Sequence, residues 1–254
     1  ASLGVHLKVE TGMHRLGLQK DEWTEAGAQC AQLGVRIASV YSHLSAADDP
    51  TRDDHSRDQI HRYQDACSSI ADGWASQSPK GSAPDFLKHL VNTAGAARFP
   101  EAHHDLIRVG LGLYGLDASN TIEGLQPIGT FHSAISHIHV VPAGEPVGYG
   151  GKDIAKAPRT IATLPVGYAD GLPRSAGMGA AQLFVAGDSR PIVGPVCMDS
   201  CMIDVTGLAV QRGTSVEVFG EHAPLEMLAA ASGTIPYELL CRIPQRVRRR
   251  HLRT

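Results

Sequence analysis

The chain has 254 residues, of which 43% are hydrophobic and 19% are charged, and its formal net charge is -3. This composition is typical of globular proteins, and the nearly balanced charge gives no reason to expect a nucleic-acid or membrane partner. No apolar run approaches the roughly 20 residues of a membrane span. Five cysteines without paired spacing predict free thiols in a reducing compartment, so we expect a cytoplasmic protein without disulfides or a metal site.

Short apolar runs alternate with helical patterns in the first half of the chain. Between the second helix and the third strand lies a Ser/Pro/Gly-rich loop over residues 76–84. Such alternation of strand and helix is typical of a parallel sheet with helical crossovers. The predicted strands cover residues 5–9, 35–41, 86–91 and 106–109, and the predicted helices cover residues 21–33 and about 54–71.

The pattern changes near Thr130, where apolar runs separated by turns replace the strand–helix alternation. We therefore expect an α/β domain over residues 1–125 and a mostly β domain over residues 126–254, with the boundary inside residues 120–127. A Gly-Asp dipeptide between two apolar runs indicates a β-hairpin. The predicted elements of this half include that hairpin, over residues 182–193, and a helix over residues 225–231.

Four parallel strands cannot close a barrel by themselves. A (β/α)₈ barrel typically takes about 250 residues, and the α/β region here has only about half of that. The predicted sheet would have two open edges, which natural proteins avoid.

Five segments occur along the chain in a fixed order: HLKVETGMHRLG, RVGLGLY, VGYG, LPVGYADG and VCMDSCMI, beginning at His6, Arg108, Val147, Leu164 and Val196. Together they resemble the bacterial alanine racemases, fold type III pyridoxal-phosphate enzymes that interconvert L- and D-alanine. The resemblance covers essentially the whole chain. It implies the second half of a (β/α)₈ TIM-type barrel, strands five to eight, followed by a mostly β C-terminal domain. A second polypeptide would supply the other barrel strands, or the chain is a truncated product.

The Schiff-base lysine of that family lies near the N-terminus in a motif like VVKANAYGHG, and no segment here resembles it. None of the lysines present has a sequence context that supports this role. We therefore expect that this chain alone cannot complete racemisation. The lysines are Lys8, Lys20, Lys80, Lys88, Lys152 and Lys156.

Polar residues follow each of the four predicted strands. In a barrel of this kind, working residues lie at the C-terminal ends of the strands. A guanidinium after a Gly-containing turn suits bidentate capture of a carboxylate, which favours a substrate-binding role for Arg15. The candidates at the four strand ends are, in order, Arg15, His43, Asn92 with Thr93, and Arg108 with Gly110.

The resemblance implies more specific roles for the strand-end residues. Arg15 would bind the substrate carboxylate and contact the phenolic oxygen of pyridoxal phosphate. Lys8 matches a family lysine that can be carbamylated and braces that arginine, and a lysine inside an apolar strand needs some partner. Arg108 would face the pyridine nitrogen, and His43 would contact the cofactor.

A phosphate-binding group is implied at the ends of the third and fourth strands. The hydroxyl of Thr93, which follows Asn92, and the backbone N–H groups of Gly110 and Leu111 would donate to phosphate oxygens. Tyr237, from the second domain, would complete the group.

Racemisation needs two bases on opposite faces of the planar carbanion. In the resembled family one is the cofactor lysine, and the other is the tyrosine of the VGYG segment, here Tyr149, contributed across a homodimer interface. A phenol with a pKa of about 10 is a poor base at neutral pH, so cationic neighbours must lower its pKa. His43 and Arg15 are the candidates.

Residues of the second domain would line the access to the partner's active site. The resemblance makes Tyr168 and Tyr237 gate tyrosines, gives Arg174 a place in the access corridor, and brings the backbone of Met198 near the substrate carboxylate. Pro195 departs from the pattern, because some racemases have an arginine there.

Three readings follow. The first is a portion of an alanine racemase whose D-alanine product serves peptidoglycan synthesis. The second is a serine or broad-specificity amino-acid racemase, and the third is a catalytically inert racemase-like module. The segment SHLSAADDP, beginning at Ser42, is also similar to racemase domains fused behind a cell-wall peptide ligase.

Overall fold

A computed structural model describes residues 3–78, 84–117, 119 and 121–252. The chain divides into two compact units, Ala1–Gln126 and Pro127–Thr254, which are described separately. Most of the predicted loop over residues 76–84, together with Lys80 and Asn120, lies outside the described residues.

The first unit is built on a three-stranded parallel sheet in the order β1–β2–β3. The central strand carries fully buried apolar side chains, Ile37 and Val40, which pack in the core of this unit with residues of α2 such as Tyr63. β1 has one neighbour among the described strands, so its other edge is open. The strands are β1 (Gly4–Lys8), β2 (Arg36–Tyr41) and β3 (Leu87–His89).

Two helices of this unit approach each other closely at glycines. A Cβ on Gly27 would collide with the backbone oxygen of Ile70, and one on Gly73 would collide with that of Thr24. The absence of these side chains is therefore what lets the two helix backbones touch. The helices are α1 (Trp23–Gln32), which follows a 3₁₀ turn over Lys20–Glu22, α2 (Asp53–Gln77) and the short α3 (Thr93–Arg98).

The predicted fourth strand is wrong. Residues 106–109 form no strand, and Leu106 makes only an isolated parallel bridge to His89. The segment still runs parallel to β3 and the residues after it, because the backbone N–H groups of Asp105 and Arg108 donate to Lys88 O at 3.0 Å and Val91 O at 3.1 Å. The backbone N–H of Lys88 donates to the Asp105 carboxylate at 2.7 Å instead of to a strand carbonyl. β3 itself is shorter than the predicted run over residues 86–91.

The second unit holds a seven-stranded antiparallel sheet in the order β4–β12–β9–β10–β11–β8–β5, and a separate ribbon of β6 and β7. Alternate residues along β11 are buried, as expected for a strand with one face on a core, whereas the adjacent residues Ile161 and Ala162 of β8 are both buried. The strands are β4 (Phe131–Ala134), β5 (His137–Val141), β6 (Pro146–Val147), β7 (Asp153–Ile154), β8 (Arg159–Leu164), β9 (Gln182–Val185), β10 (Asp188–Val193), β11 (Cys201–Asp204) and β12 (Ser215–Phe219).

The predicted hairpin is confirmed: β9 and β10 pair antiparallel around Ala186 and Gly187, both with positive φ (52° and 87°). Two positive φ angles are typical of the tight turn that matches strand twist. The predicted helix over residues 225–231 is α4 (Leu225–Ala231), and a further helix, α5 (Pro236–Arg242), was not predicted. Among the described residues, every helix is too short or too polar to cross a membrane.

Candidate active site

Four residues predicted from the sequence come together in the first unit. Lys8 ends β1, Arg15 lies in the turn that follows it, and His43 comes shortly after β2. Burial lowers the pKa of His43, and the charges of Arg108, Arg15 and Lys8 lower it further. Because such charges act strongly only at short range, all three cations lie near one imidazole, which is neutral at pH 7.

The turn that carries Arg15 is shaped by a buried carboxylate that the sequence did not single out. Glu10 accepts hydrogen bonds through Oε1 from the backbone N–H groups of Gly12 and Met13, the latter at 2.7 Å. Its Oε2 is buried without a hydrogen-bond partner among the described residues. The guanidinium of Arg15 is solvent-exposed and forms no hydrogen bond or ion pair within the described part of the chain, so it is available to a ligand.

Lys8 has the partner that its position requires. Its Nζ donates to the backbone oxygen of Leu16 at 2.5 Å. Burial lowers its pKa, Glu10 opposes that change, and the charges of Arg15 and Arg108 add to it. A lowered pKa increases the neutral amine fraction, which is the form that can react with an electrophile.

Arg108 is held entirely by neutral acceptors among the described residues. Its NH1 group donates to His89 Nδ1 at 2.7 Å, and its NH2 group donates to the backbone oxygens of Ser42 and Leu90 at 2.5 and 3.0 Å. NH2 also lies 3.2 Å from His43 Nδ1. With no described carboxylate to neutralise it, this half-buried guanidinium keeps a full positive charge for a ligand.

These bonds fix the proton positions on two further side chains. An arginine can only donate, so His89 Nδ1 accepts and the His89 proton lies on Nε2. That proton points to Ser39 Oγ at 3.0 Å, and the Ser39 hydroxyl then donates to His6 Nδ1 at 2.7 Å. Burial, aided by the charge of Arg108, lowers the pKa of His89 and favours this neutral form. A one-directional chain therefore runs from Arg108 through His89 and Ser39 to His6.

The predicted phosphate-binding residues lie at the start of α3 and of a 3₁₀ turn over Leu111–Tyr114. The backbone N–H of Gly110 donates to Thr93 Oγ1 at 3.0 Å, so the Thr93 hydroxyl proton is left for another acceptor. A Cβ built on Gly110 would meet nothing within 4 Å, which leaves open space beside it. Asn92 caps α3 by accepting from Gly95 N at 2.9 Å, which accounts for its position.

In the second unit, Tyr149 lies in a 3₁₀ turn over Tyr149–Gly151, between β6 and β7, and is 77% exposed. It lines a cavity of about 490 Å³ together with Arg174, Lys152 and Pro195. The cavity lining thus contains a phenol and two cations.

The other predicted residues of this unit lie on two segments that are bonded to each other. The backbone N–H of Tyr168 donates to Cys197 O at 3.0 Å, and that of Ala169 donates to Met198 O at 2.8 Å. Because an ionised carboxylate only accepts hydrogen bonds, the N–H is the backbone group of Met198 that could bind one. The phenol of Tyr168 is exposed, and Tyr237 lies in the first turn of α5.

The sequence and the fold of this chain are similar to those of known proteins. Sequence models of two domains of one family match the chain: Alanine racemase, N-terminal domain, over residues 1–118, and Alanine racemase, C-terminal domain, over residues 128–251. This chain belongs to the alanine racemase family. The alanine racemase of Desulforamulus reducens is 36% identical over 253 residues, a match that covers 96% of this chain and 66% of that relative.

Solved racemase structures agree with this membership. The alanine racemase of Streptomyces lavendulae superposes with a TM-score of 0.87 at 30% identity, covering 97% of this chain and 65% of that one. That of Bartonella henselae, with covalently bound pyridoxal phosphate, gives a TM-score of 0.83 at 29% identity, covering 96% and 65%. The barrel-plus-β-domain fold of the family is therefore confirmed, and the chain spans slightly less than two thirds of the relatives' length.

Several residues that contact Arg108 or shape the turn before Arg15 were not predicted from the sequence. His89, Ser39 and His6 orient Arg108, and Glu10 shapes the turn before Arg15. The available signal was the placement of polar residues inside short apolar strands, where an unpaired polar group is costly.

Proposed function

We propose that this chain is the part of an alanine racemase that binds the cofactor's ring and phosphate and the substrate carboxylate, and that supplies the tyrosine base. Convergence of Lys8, Arg15, Arg108 and His43 at one end of the sheet carries this proposal. Three cations near a neutral imidazole, with Glu10 as the carboxylate that acts on Lys8, favour the binding of anionic ligands.

Pyridoxal phosphate fits the donors that are present. Thr93 keeps a hydroxyl proton for the phosphate, open space lies beside Gly110, and Leu111 begins a 3₁₀ turn whose first N–H groups have no partner within the turn. Arg108 would donate to the pyridine nitrogen, and it gives up no proton because its pKa is far above neutrality. When bound, the cofactor would supply an electron sink for the charge left at the substrate α-carbon.

The remaining roles belong to the substrate and the proton. Arg15 would bind the carboxylate of alanine in a bidentate manner. The phenolic oxygen of Tyr149, from a second copy of the chain, would remove or return the α-proton on one face. Arg15 and the site's other cations would stabilise the phenolate. Tyr168, Tyr237 and Arg174 would control access, and Met198 N–H would approach the substrate carboxylate.

We further propose that the first unit forms strands five to eight of the family's barrel in a cytoplasmic homodimer that makes D-alanine for peptidoglycan. The open edge of β1 and the short segment beside β3 are what a half-barrel would present. A lysine-bearing segment would complete the barrel and act as the second base. A carbamylated Lys8 would brace Arg15.

Co-expression of the chain with the lysine-bearing half of a relative's barrel tests this function. We expect alanine racemisation, and borohydride-fixed cofactor on the added half only. Tyr149→Phe should abolish racemisation while leaving cofactor absorbance unchanged, and Arg15→Lys should raise KM more than it lowers kcat. Arg52→Lys, an exposed arginine before α2, is the matched control.

Borohydride fixation of the cofactor on the chain alone would contradict the division of labour between the two halves. Serine turnover faster than alanine turnover would favour the broad-specificity reading. A completed complex that binds the cofactor but never racemises would favour the inert module.

A further inference from the structure

Tyr149 stands on a short hairpin. β6 and β7 have two residues each, and a ribbon of this size is marginal by itself, so its position depends on contacts with the rest of the unit, including the burial of Val147 against Ile161 and Val193. Gly148, Gly150 and Gly151, around Tyr149, have φ angles of 73°, 80° and 57°, a run that glycine permits but does not fix. The phenol is largely exposed, so packing does not fix it either.

A carboxylate at the base of the hairpin provides an external attachment. Asp153, the first residue of β7, accepts through Oδ2 from the backbone N–H of Gly194 at 2.7 Å. Its Oδ1 accepts from Arg159 NH2 at 2.7 Å. Both side chains of this ion pair are only 17% exposed, so water and salt screen it less than a surface pair.

The attachment point is itself well held. Gly194 follows β10, and its backbone oxygen accepts from Met178 N at 2.8 Å. A Cβ on Gly194 would lie 2.8 Å from Val147 O, and one on Gly148 would lie 3.0 Å from Pro195 Cδ. The hairpin therefore rests directly on the turn formed by Gly194 and Pro195, with no room for a side chain between them.

We propose that Asp153 is a positioning residue for Tyr149, tying the hairpin that carries the phenol to the Gly194–Pro195 turn, while Arg159 holds the carboxylate in place. The functional consequence rests on the role proposed above for Tyr149, but the attachment itself does not. Proton transfer depends steeply on the placement of the base. Without the Asp153 attachment, the Tyr149 phenol would adopt many orientations, and few of them would place it correctly for proton transfer.

The charge of the attachment persists through the neutral range. Burial alone would raise the pKa of Asp153, but the hydrogen bond from Gly194 N and the Arg159 guanidinium hold that pKa below its ordinary value. Protonation would weaken both bonds at once.

Three variants separate the bonds. Asp153→Ala removes both, Asp153→Asn keeps an oxygen acceptor for Gly194 N, and Arg159→Gln keeps the carboxylate. Asp188→Ala is the matched control, because Asp188 forms an ion pair with Arg190 in the same unit and lies on β10, outside the β6–β7 hairpin.

Amide exchange at Gly194 and the NMR signal of ¹³C-labelled Tyr149, assigned with Tyr149→Phe, are measured on the chain itself. We expect Asp153→Ala to accelerate Gly194 exchange about tenfold or more and to narrow the Tyr149 signal, as hydrogen-bond loss frees the segment. Asp153→Asn should restore most of the protection, and Asp188→Ala should change neither. Unchanged exchange and line width in Asp153→Ala would overturn the proposal.

In the enzyme completed by its lysine-bearing half, Asp153→Ala should lower kcat about ten- to a hundredfold while KM changes by less than about twofold. The α-deuterium isotope effect should rise for one alanine enantiomer only, because Tyr149 serves one face. An isotope effect that stays unchanged for both enantiomers would mean a merely structural role. If the completed wild type does not racemise alanine while Gly194 exchange still responds, the proposed function fails and the attachment stands.

Discussion

The two units of this chain differ in their sheets and in the charged groups they hold. The first has a small parallel sheet with an open edge, and its partly buried histidines and cations, His43, His89, Lys8 and Arg108, all have lowered pKa values beside one buried carboxylate, Glu10. The second has a seven-stranded antiparallel sheet, and its carboxylates Asp153 and Glu217 accept hydrogen bonds from backbone N–H groups. A parallel sheet is normally covered on both faces and continued by further strands, so the first unit depends on neighbours that the second does not need.

The largest effect should come from the contact between α1 and α2. Gly27→Leu would force a side chain into the backbone oxygen of Ile70, and overpacking at a backbone contact should cost the first unit roughly 3 kcal/mol or more. Both tryptophans, Trp23 and Trp74, lie in this unit, so their fluorescence follows its unfolding alone. We expect the tryptophan transition to be lost while the β-sheet circular dichroism of the second unit persists.

Gly129→Leu is the control, because a Cβ there would meet nothing within 4 Å and its φ is ordinary. Loss of the tryptophan transition together with the circular-dichroism transition in Gly27→Leu would show that the two units do not fold separately. That result would contradict the contrast drawn between them.

The hydrogen-bonded chain of the first unit should give the next largest effect. Ser39→Ala removes the buried hydroxyl that bonds both His89 and His6, and each hydrogen bond lost costs about 0.5–1.5 kcal/mol. Urea unfolding followed by tryptophan fluorescence measures this loss, with Ser68→Ala on the exposed face of α2 as the control. Equal stability of the two variants would mean that water replaces Ser39 and that the proton positions inferred for His89 are not enforced.

Much of the fold could be predicted from the sequence, because apolar periodicity reports burial directly. It located β1, β2, α1, α4 and the β9–β10 hairpin. It failed at residues 106–109, where Leu106 and Ile107 are apolar but about half exposed. An apolar run indicates that a segment must be buried, but it does not identify the strand that lies beside it. A β-strand forms only where such a neighbouring strand is present.

The candidate site, like the fold, could be predicted from the sequence only in part. Arg15, His43 and Arg108 could be placed because strand ends of a parallel sheet converge. The bonds from Arg108 to His89 and on through Ser39 could not, since they depend on the register that pairs His6 with Ser39 and Tyr41 with His89. The role of Asp153 was not predicted, because its partner is the backbone N–H of Gly194, 41 residues away. A backbone donor cannot be recognised from the type of residue that carries it.

As the pH falls, the first unit should lose stability at a higher pH than the second unit. Burial and the nearby charge of Arg108 lower the pKa values of His43 and His89. Below the ordinary histidine pKa of about 6.5, the unfolded chain binds protons that the folded unit does not, so stability falls as pH falls. We expect the midpoint of the tryptophan transition to drop progressively from about pH 6.5 downward.

The second unit should resist this range. Burial alone would raise the pKa of Glu217, but hydrogen bonds from the backbone N–H groups of Ala223 and His222 and from the His222 side chain lower it, and Asp153 is held in a similar way. Their stabilisation is complete above the ordinary carboxylate pKa of about 4 and is lost only as pH falls below it. Amide exchange of β12 measures this, and loss of protection there at pH 6 would contradict the contrast between the units.

The smallest effect should come from an ion pair whose arginine, Arg246, is half exposed. Arg246 bonds Asp170 Oδ1 through Nε at 2.9 Å and NH2 at 2.8 Å, and its side chain is half exposed. Arg246→Ala should therefore cost no more than about 1 kcal/mol. Asp170→Ala should cost more, because Asp170 Oδ2 also accepts from Gly167 N at 3.0 Å. Thermal unfolding of the second unit ranks the two, and an Arg246→Ala loss as large as that of Ser39→Ala would mean that exposure does not separate strong polar contacts from weak ones here.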